Sequence, residues 1–240
     1  MTGYPNRIIF PLDVPTLTEA VSLARRLAPY LAAVKIGNQL FTAEGPEAVR
    51  AMHDLGLRVF LDLKFHDIPN TVAGAIASAR ALGVWMVNVH ASGGPAMMTA
   101  AAQAVAAFPP SERPLVIGVT VLTSLSDLDI RDTLGTTRTV PQQVEHLARA
   151  TKAAGLDGVV ASPQEIGLIR QACGPGFLIV TPGVRPADAA RNDQQRVMTP
   201  GQAIRAGADY LVVGRPIQAA TDPVEAARRI NAECGTQNAE

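Results

Sequence analysis

Apolar, β-branched runs recur along the chain at residues 7–13, 33–37, 58–65, 86–90, 115–122, 158–161, 177–181 and 210–213, and each reads as a strand. Alanine-rich, helix-compatible stretches separate them at residues 18–27, 46–55, 72–82, 96–107, 141–154, 163–173 and 199–206, and residues 223–233 close the series. The strands are nearly continuous in apolar character, which suits a parallel sheet covered by helices rather than one with a wet face. Eight such units in 240 residues fit a single (β/α)8 TIM barrel of the α/β class, one domain spanning residues 1–240. A doubly wound open sheet is the alternative.

One run breaks the apolar rule. In Phe60-Leu61-Asp62-Leu63-Lys64-Phe65-His66-Asp67-Ile68-Pro69-Asn70-Thr71, two carboxylates and an ammonium fall within six positions. Period-two alternation puts Asp62 and Lys64 on one strand face, aimed into the sheet interior, and Leu61, Leu63 and Phe65 on the other. Asp67 follows just past the strand, and Pro69 suits the first turn of a helix beginning near residues 68–70.

A barrel builds its active site at the C-terminal ends of its strands, and the polar residues obey that demand. Asp13 ends the first strand, Lys35 lies in the second, Asp62 and Lys64 end the third and His90 the fourth. Thr123-Ser124, Thr181-Pro182-Gly183 and Gly214-Arg215 follow the fifth, seventh and eighth. At the opposite ends Arg7, Arg58 and Asp157 read as solvated boundaries. Residues 126–139 and 185–197 are poor in regular structure. The second of these segments carries Arg185, Arg191, Asn192, Asp193, Gln194, Gln195 and Arg196 and reads as a functional lid.

Composition narrows the chemistry. Lys plus Arg and Asp plus Glu both total 21, so nothing marks a nucleic-acid or membrane-surface binder, and charge-based function must be local. The only cysteines, Cys173 and Cys234, fit neither a disulfide framework nor a zinc motif, which suits a reducing cytoplasm. No apolar segment reaches roughly 18 residues, and residues 1–5 lack the features of a signal peptide, so neither export nor membrane insertion is expected. The histidines, His53, His66, His90 and His146, show no close metal spacing, and no serine-hydrolase, phosphate-loop or dinucleotide fingerprint occurs.

Three constellations remain, each with a plainer reading beside it. Asp62, Lys64 and Asp67 could be a register-fixing ion network, or a cationic lysine held between carboxylates as a general acid for a carbanion. Lys35 and Asp13 could extend that network. Val212-Val213-Gly214-Arg215-Pro216 could be a simple strand-to-helix turn. Beside Thr181-Pro182-Gly183-Val184-Arg185, however, it makes a second cationic turn suited to a phosphate. Thr123 and Ser124 could cap a helix or hydrogen-bond a heterocycle.

These residues, in this order, resemble the orotidine 5'-phosphate decarboxylase family over nearly the whole chain. The resemblance rests on Pro11-Leu12-Asp13, Val34-Lys35-Ile36-Gly37, the segment from Asp62 to Thr71, Val119-Thr120-Val121-Leu122-Thr123-Ser124, Thr181-Pro182-Gly183-Val184-Arg185, Gln194 and Val213-Gly214-Arg215-Pro216. It implies cofactor-free, metal-free decarboxylation of orotidine 5'-monophosphate to UMP and carbon dioxide, in de novo UMP synthesis, by a cytoplasmic homodimer. Lys64 would protonate C6 of the pyrimidine, flanked by Asp62 and by Asp67, with Asp67 and Thr71 reaching in from the partner subunit. Asp13 and Lys35 match ribose-contacting positions, and Lys35 also braces Asp62. Thr123 and Ser124 match the region reading the pyrimidine edge, whereas Arg185, Gln194, Gly214 and Arg215 match the phosphate grip. The lid, residues 186–194, lacks the Gly- and Ser-rich wording of many members, and Gln195 competes with Gln194 for the phosphate contact.

Two rival functions are open. The 3-keto-L-gulonate 6-phosphate decarboxylases and hexulose-phosphate synthases share the Asp-x-Lys-x-x-Asp barrel but use magnesium, with a metal-binding Glu where this chain has Lys35. A cation at that position would repel the metal. A non-catalytic phosphate- or nucleotide-binding barrel is the other, and the presence of Lys64 with both aspartates weighs against it.

Overall fold

Eight parallel strands close on themselves in chain order: β1 (Ile8–Pro11), β2 (Ala33–Gly37), β3 (Val59–Phe65), β4 (Met86–His90), β5 (Leu115–Val119), β6 (Gly158–Val160), β7 (Leu178–Pro182) and β8 (Tyr210–Val212). The computed structural model describes residues 6–186 and 198–235. The circle is completed where β8 pairs with β1 through Ile8↔Leu211 and Ile9↔Val212, so the chain forms a (β/α)8 barrel and not an open sheet.

Around the strands lie α1 (Leu17–Leu27), α2 (Asn38–Glu44), α3 (Pro46–Asp54), α4 (Pro69–Ala81), α5 (Gly94–Ala106), α6 (Asp127–Leu134), α7 (Val140–Ala153), α8 (Ile166–Cys173), α9 (Pro200–Ala206), α10 (Arg215–Gln218) and α11 (Pro223–Gly235). Local chemistry accounts for their starts. Thr16 accepts the Glu19 N–H at the head of α1, which then buries Ala20, Ala24 and Leu27 at helical spacing. Pro69 opens α4, where its missing N–H costs nothing, and the apolar face of α7 places Val140, Val144, Leu147 and Thr151 against the sheet.

Within residues 126–139, expected to be poor in regular structure, residues 127–134 form a helix, and residues 135–139 are irregular. Ser126 and Asp129 form a reciprocal capping box, α6 buries Ile130, and Gly135 ends the helix with a left-handed φ of 62°. Its aspartates and threonine masked a one-sided helix whose Leu128 and Leu134 stay exposed. The first and fifth strands also stop early, at Pro11 and Val119, which leaves Asp13 and Thr123 on loops at the mouth.

The barrel interior is layered. Ile9, Ala33, Phe60, Met86, Ile117 and Val180 point inward and form a fully buried apolar plug, whereas the alternate strand positions pack against the helices. One pleat toward the mouth, two residues after Ala33, Phe60 and Met86, stand Lys35, Asp62 and Asn88. The charged group therefore rests on an apolar floor.

Below the plug the strand starts are tied by polar contacts. Asp157 accepts the Val116 N–H at 2.8 Å and grips Arg113 at 3.0 Å; Asp209 accepts the Ile179 N–H at 2.8 Å and holds Arg170. Arg7 donates to the Asp209 carbonyl at 3.2 Å, and Arg58 donates to the Ala32 carbonyl while lying 4.4 Å over the Trp85 ring. Arg7 and Asp157 are thus strand anchors rather than merely solvated boundaries, and Arg58 is exposed but docked.

Gly158 sets the closeness of β6 and β7. A Cβ there would lie 2.3 Å from the Leu178 carbonyl oxygen, which the ladder cannot move aside. Gly158→Ala is expected to lower stability by about 1–3 kcal/mol, seen as a fall of several degrees in thermal unfolding. Gly167→Ala, in open space on α8, should cause no loss; equal behaviour of the two variants would disprove the packing argument.

Candidate active site

Asp62 lies at the centre of the mouth, 8% exposed. Its Oδ1 accepts from Lys64 Nζ at 2.6 Å and from Asn88 Nδ2 at 2.6 Å, and its Oδ2 lies 3.1 Å from Lys35 Nζ. Lys35, 9% exposed, reaches outward to Asp13 Oδ1 at 3.3 Å, so the charges alternate Asp13, Lys35, Asp62, Lys64 from the loop after β1 through β2 to β3. Burial alone would raise the carboxyl pKa of Asp62. The ammonium groups of Lys35 and Lys64, with the hydrogen bonds from Lys64 and Asn88, outweigh it and hold the carboxyl below its ordinary value. Asp62 is an anion at any working pH.

Lys64 is placed by an unusual backbone. Its φ of 52° is the only positive value at a non-glycine among the described residues, a conformation that costs on the order of 1–3 kcal/mol for an ordinary side chain. The β3–β4 register shifts at the same point, from Leu61↔Val87 to Phe65↔Val89. The predicted alternation survives in direction: Phe60, Asp62 and Lys64 line the mouth while Leu63 and Phe65 pack outward. The ladder itself does not survive, and the bulge swings the ammonium back onto Asp62.

Asn88 was absent from the sequence-derived set. It is fully buried, accepts the Lys64 N–H at 2.8 Å and donates to Asp62. The available signal was an amide in the run Met86-Val87-Asn88-Val89-His90, on the same strand face as His90. His90 lies beyond it with its ring 5.6 Å from that of His66. Burial, then His66 and Lys64, lower the His90 pKa against the pull of Asp62, so the imidazole is neutral at neutral pH.

The charged wall faces apolar groups. A cavity of about 150 Å³ lies between Lys35, Asp62 and Lys64 on one side and Val121, Leu122, Ala161 and Pro182 on the other, with Thr123 on its rim. Ser124 is exposed beside it, and since Ser126 caps α6, neither Thr123 nor Ser124 is committed to capping. Across the mouth Gly214 comes so close to β1 that a Cβ would stand 2.7 Å from Pro11 Cγ, while Arg215 begins α10 and is exposed. Arg185 is buried, and its N–H bonds the Met198 carbonyl at 3.1 Å beside the bridge of Val184 with Met198. Gln194, Gln195 and lid residues 187–194 lie outside the described residues.

Asp67 and Thr71 are not in the cluster of their own chain. Among the described residues the Asp67 carboxylate accepts only the adjacent Ile68 N–H, at 2.6 Å, and joins no ion pair. Thr71 is exposed on the first turn of α4, and Ile68 between them is 67% exposed. No grouping of three metal-binding side chains occurs among the described residues, and Asp13 and Asp62 are already engaged by ammonium groups. No described helix is long and apolar enough to cross a membrane.

The model of the orotidine 5'-phosphate decarboxylase / HUMPS family matches residues 6–230. The chain is 58% identical to an orotidine 5'-phosphate decarboxylase of Moorella thermoacetica, over 95% of this chain and 92% of that one. It is 57% identical to one from Syntrophotalea carbinolica, with 94% and 93% covered. The crystal structure of orotidine 5'-phosphate decarboxylase from Lactobacillus acidophilus superposes with a TM-score of 0.85 at 35% identity, covering 96% of this chain and 99% of the other. Barrel, charged mouth and sequence agree, and the chain belongs to the orotidine 5'-phosphate decarboxylase / HUMPS family.

Proposed function

We propose that the chain decarboxylates orotidine 5'-monophosphate to UMP and carbon dioxide, serving pyrimidine biosynthesis, with Lys64 as the proton donor. The observation that carries this reading is the alternating array in which Lys64 Nζ sits 2.6 Å from a buried, ionised Asp62 beside a cavity with apolar walls. The bond from C6 to the carboxylate breaks with its electron pair left on C6. Carbon dioxide departs, the pair takes a proton from the Lys64 ammonium, and the lysine regains one from solvent. No neighbouring carbonyl drains that charge, so a cation fixed in advance near C6 supplies the stabilisation. The apolar facing wall strengthens it by excluding water.

Lys35 discriminates within the family. Magnesium-dependent relatives need a carboxylate at that position, whereas here an ammonium sits 3.1 Å from Asp62 and 3.3 Å from Asp13. The reading therefore needs neither metal nor cofactor. Asp13 and Lys35 would contact the ribose, Thr123 and Ser124 the pyrimidine edge, and Arg185, Gln194, Gly214 and Arg215 the phosphate, with Gln195 the alternative to Gln194. Phosphate binding far from C6 can order the mouth and so raise the rate of chemistry.

The exposure of Ile68 and the distance of Asp67 from its own array support a homodimer in which Asp67 and Thr71 complete the site of the other subunit. Residues 1–240 would form one catalytic domain working in the cytoplasm, with no nucleic acid or membrane partner.

The purified protein should consume orotidine 5'-monophosphate, followed by pyrimidine absorbance, at a rate unchanged by EDTA. A strict magnesium requirement would move the assignment to the metal-dependent relatives. Lys64→Ala should lower turnover by at least about a thousandfold while UMP binding stays measurable, and near-normal turnover would remove Lys64 from the donor role. Mixed Lys64→Ala and Asp67→Ala subunits should recover about one quarter of wild-type sites, because each heterodimer keeps one intact site. No recovery after proven subunit exchange would disprove the shared site.

A further inference from the structure

We infer that Asn88 is the positioning residue of the array, its buried amide fixing both the backbone of Lys64 and the carboxylate of Asp62. The inference rests on the decarboxylase reading for its kinetic consequences and on geometry for its substance. Between Leu61↔Val87 and Phe65↔Val89, β3 has Asp62, Leu63 and Lys64 where β4 has only Asn88. A strand with two extra residues cannot satisfy its ladder, and the Lys64 N–H turns from any β4 backbone carbonyl to the side chain of Asn88, 2.8 Å away. The other end of the same amide donates to Asp62 Oδ1 at 2.6 Å, the oxygen that also receives Lys64 Nζ at 2.6 Å.

The hydrogen bonds thus form a circuit that leaves Lys64 at its backbone and returns at its ammonium. Its polarity admits no alternative. A backbone N–H can only donate and an ionised carboxylate only accept, so the amide oxygen faces Lys64 and the nitrogen faces Asp62. Few side chains meet that demand in a fully buried position between Met86 and His90. An ionised aspartate lacks the donor, a serine has one oxygen for two sites, and a glutamine needs room for another methylene. Asn88 has no direct path to substrate, and its effect is exerted through where the Lys64 proton is held. A displacement of about 1 Å in such a group is enough to cost on the order of a hundredfold in rate.

Asn88→Ala should therefore lower kcat on the order of a hundredfold with KM changed by less than about threefold, since the phosphate contacts are untouched. Asn88→Asp keeps the shape and gives a sharper reading. Protonated, the new carboxyl can donate to Asp62 and accept from Lys64 as the amide does. Ionised, it repels Asp62 and loses the donor, and burial with that repulsion raises the pair's shared titration against the opposing pull of Lys35 and Lys64. The Asn88→Asp enzyme should work at low pH and lose rate as pH rises through that titration, a limb absent from the wild type. UMP binding by each variant verifies folding.

In the wild-type protein, the Lys64 amide should exchange with deuterated solvent far more slowly than those of exposed His66 and Asp67. An Asn88→Ala kcat within about threefold of wild type, an Asn88→Asp profile parallel to wild type, or a rapidly exchanging Lys64 amide would each overturn the inference. Absence of wild-type turnover would instead sink the decarboxylase reading, and the exchange measurement would still decide whether the amide clamps Lys64.

Discussion

A buried carboxylate above an apolar floor is the constraint to which the rest of the mouth answers. Taking an ion such as Asp62 out of water costs several kcal/mol unless every lone pair finds a partner. Lys35, Lys64 and Asn88 fill that role from the second, third and fourth strands, so the three strands must keep their relative heights. The apolar plug of Phe60, Met86 and their neighbours sets those heights from beneath, and it prevents water from offering the carboxylate a cheaper solution. Scaffold and chemistry are joined here: the pairing that makes burial tolerable is also the pairing that aims an ammonium at the cavity.

The barrel was legible because its strands are apolar on both faces and its helices are not, and that contrast repeats eight times with little interruption. Asp62, Lys64 and Lys35 were legible for the complementary reason, as charges inside runs that should have none. Where a residue's environment is set by another strand, periodicity is silent. Asn88 is one uncharged amide in a short run, and its importance follows from a bulge in β3 that no alternation pattern announces. The helix α6 was obscured by its own composition, since aspartate and threonine favour loops unless a cap and a single buried Ile130 are weighed together. The anchoring role of Asp157 is hidden in the same way, because its partners Arg113 and Val116 lie some forty residues earlier in the chain.

The two ends of the barrel use polar groups differently. At the strand starts, Asp157 and Asp209 each satisfy a backbone N–H of the preceding strand and an arginine, which fixes the stagger and leaves little charge unmatched. At the strand ends, alternating charges are held close together next to empty space, and Asp67 and Ile68 face outward from the β3–α4 connection. The matched charges that tie the strand starts and the alternating charges that border the cavity are thus separated by the thickness of the apolar plug.

Pro11 and Gly214 carry a consequence for how such a chain can change over evolutionary time. They stand at opposite ends of the sequence yet touch across the seam where the barrel closes, and Pro11 is in turn the ladder neighbour of Lys35. A side chain gained at 214 would press on the proline and, through it, on the strand that braces the central carboxylate. Position 214 is therefore constrained by a residue near the other end of the chain: a larger side chain fits there only where Pro11 yields. One close contact thus ties the turn at Gly214 and Arg215 to the strand that carries Lys35.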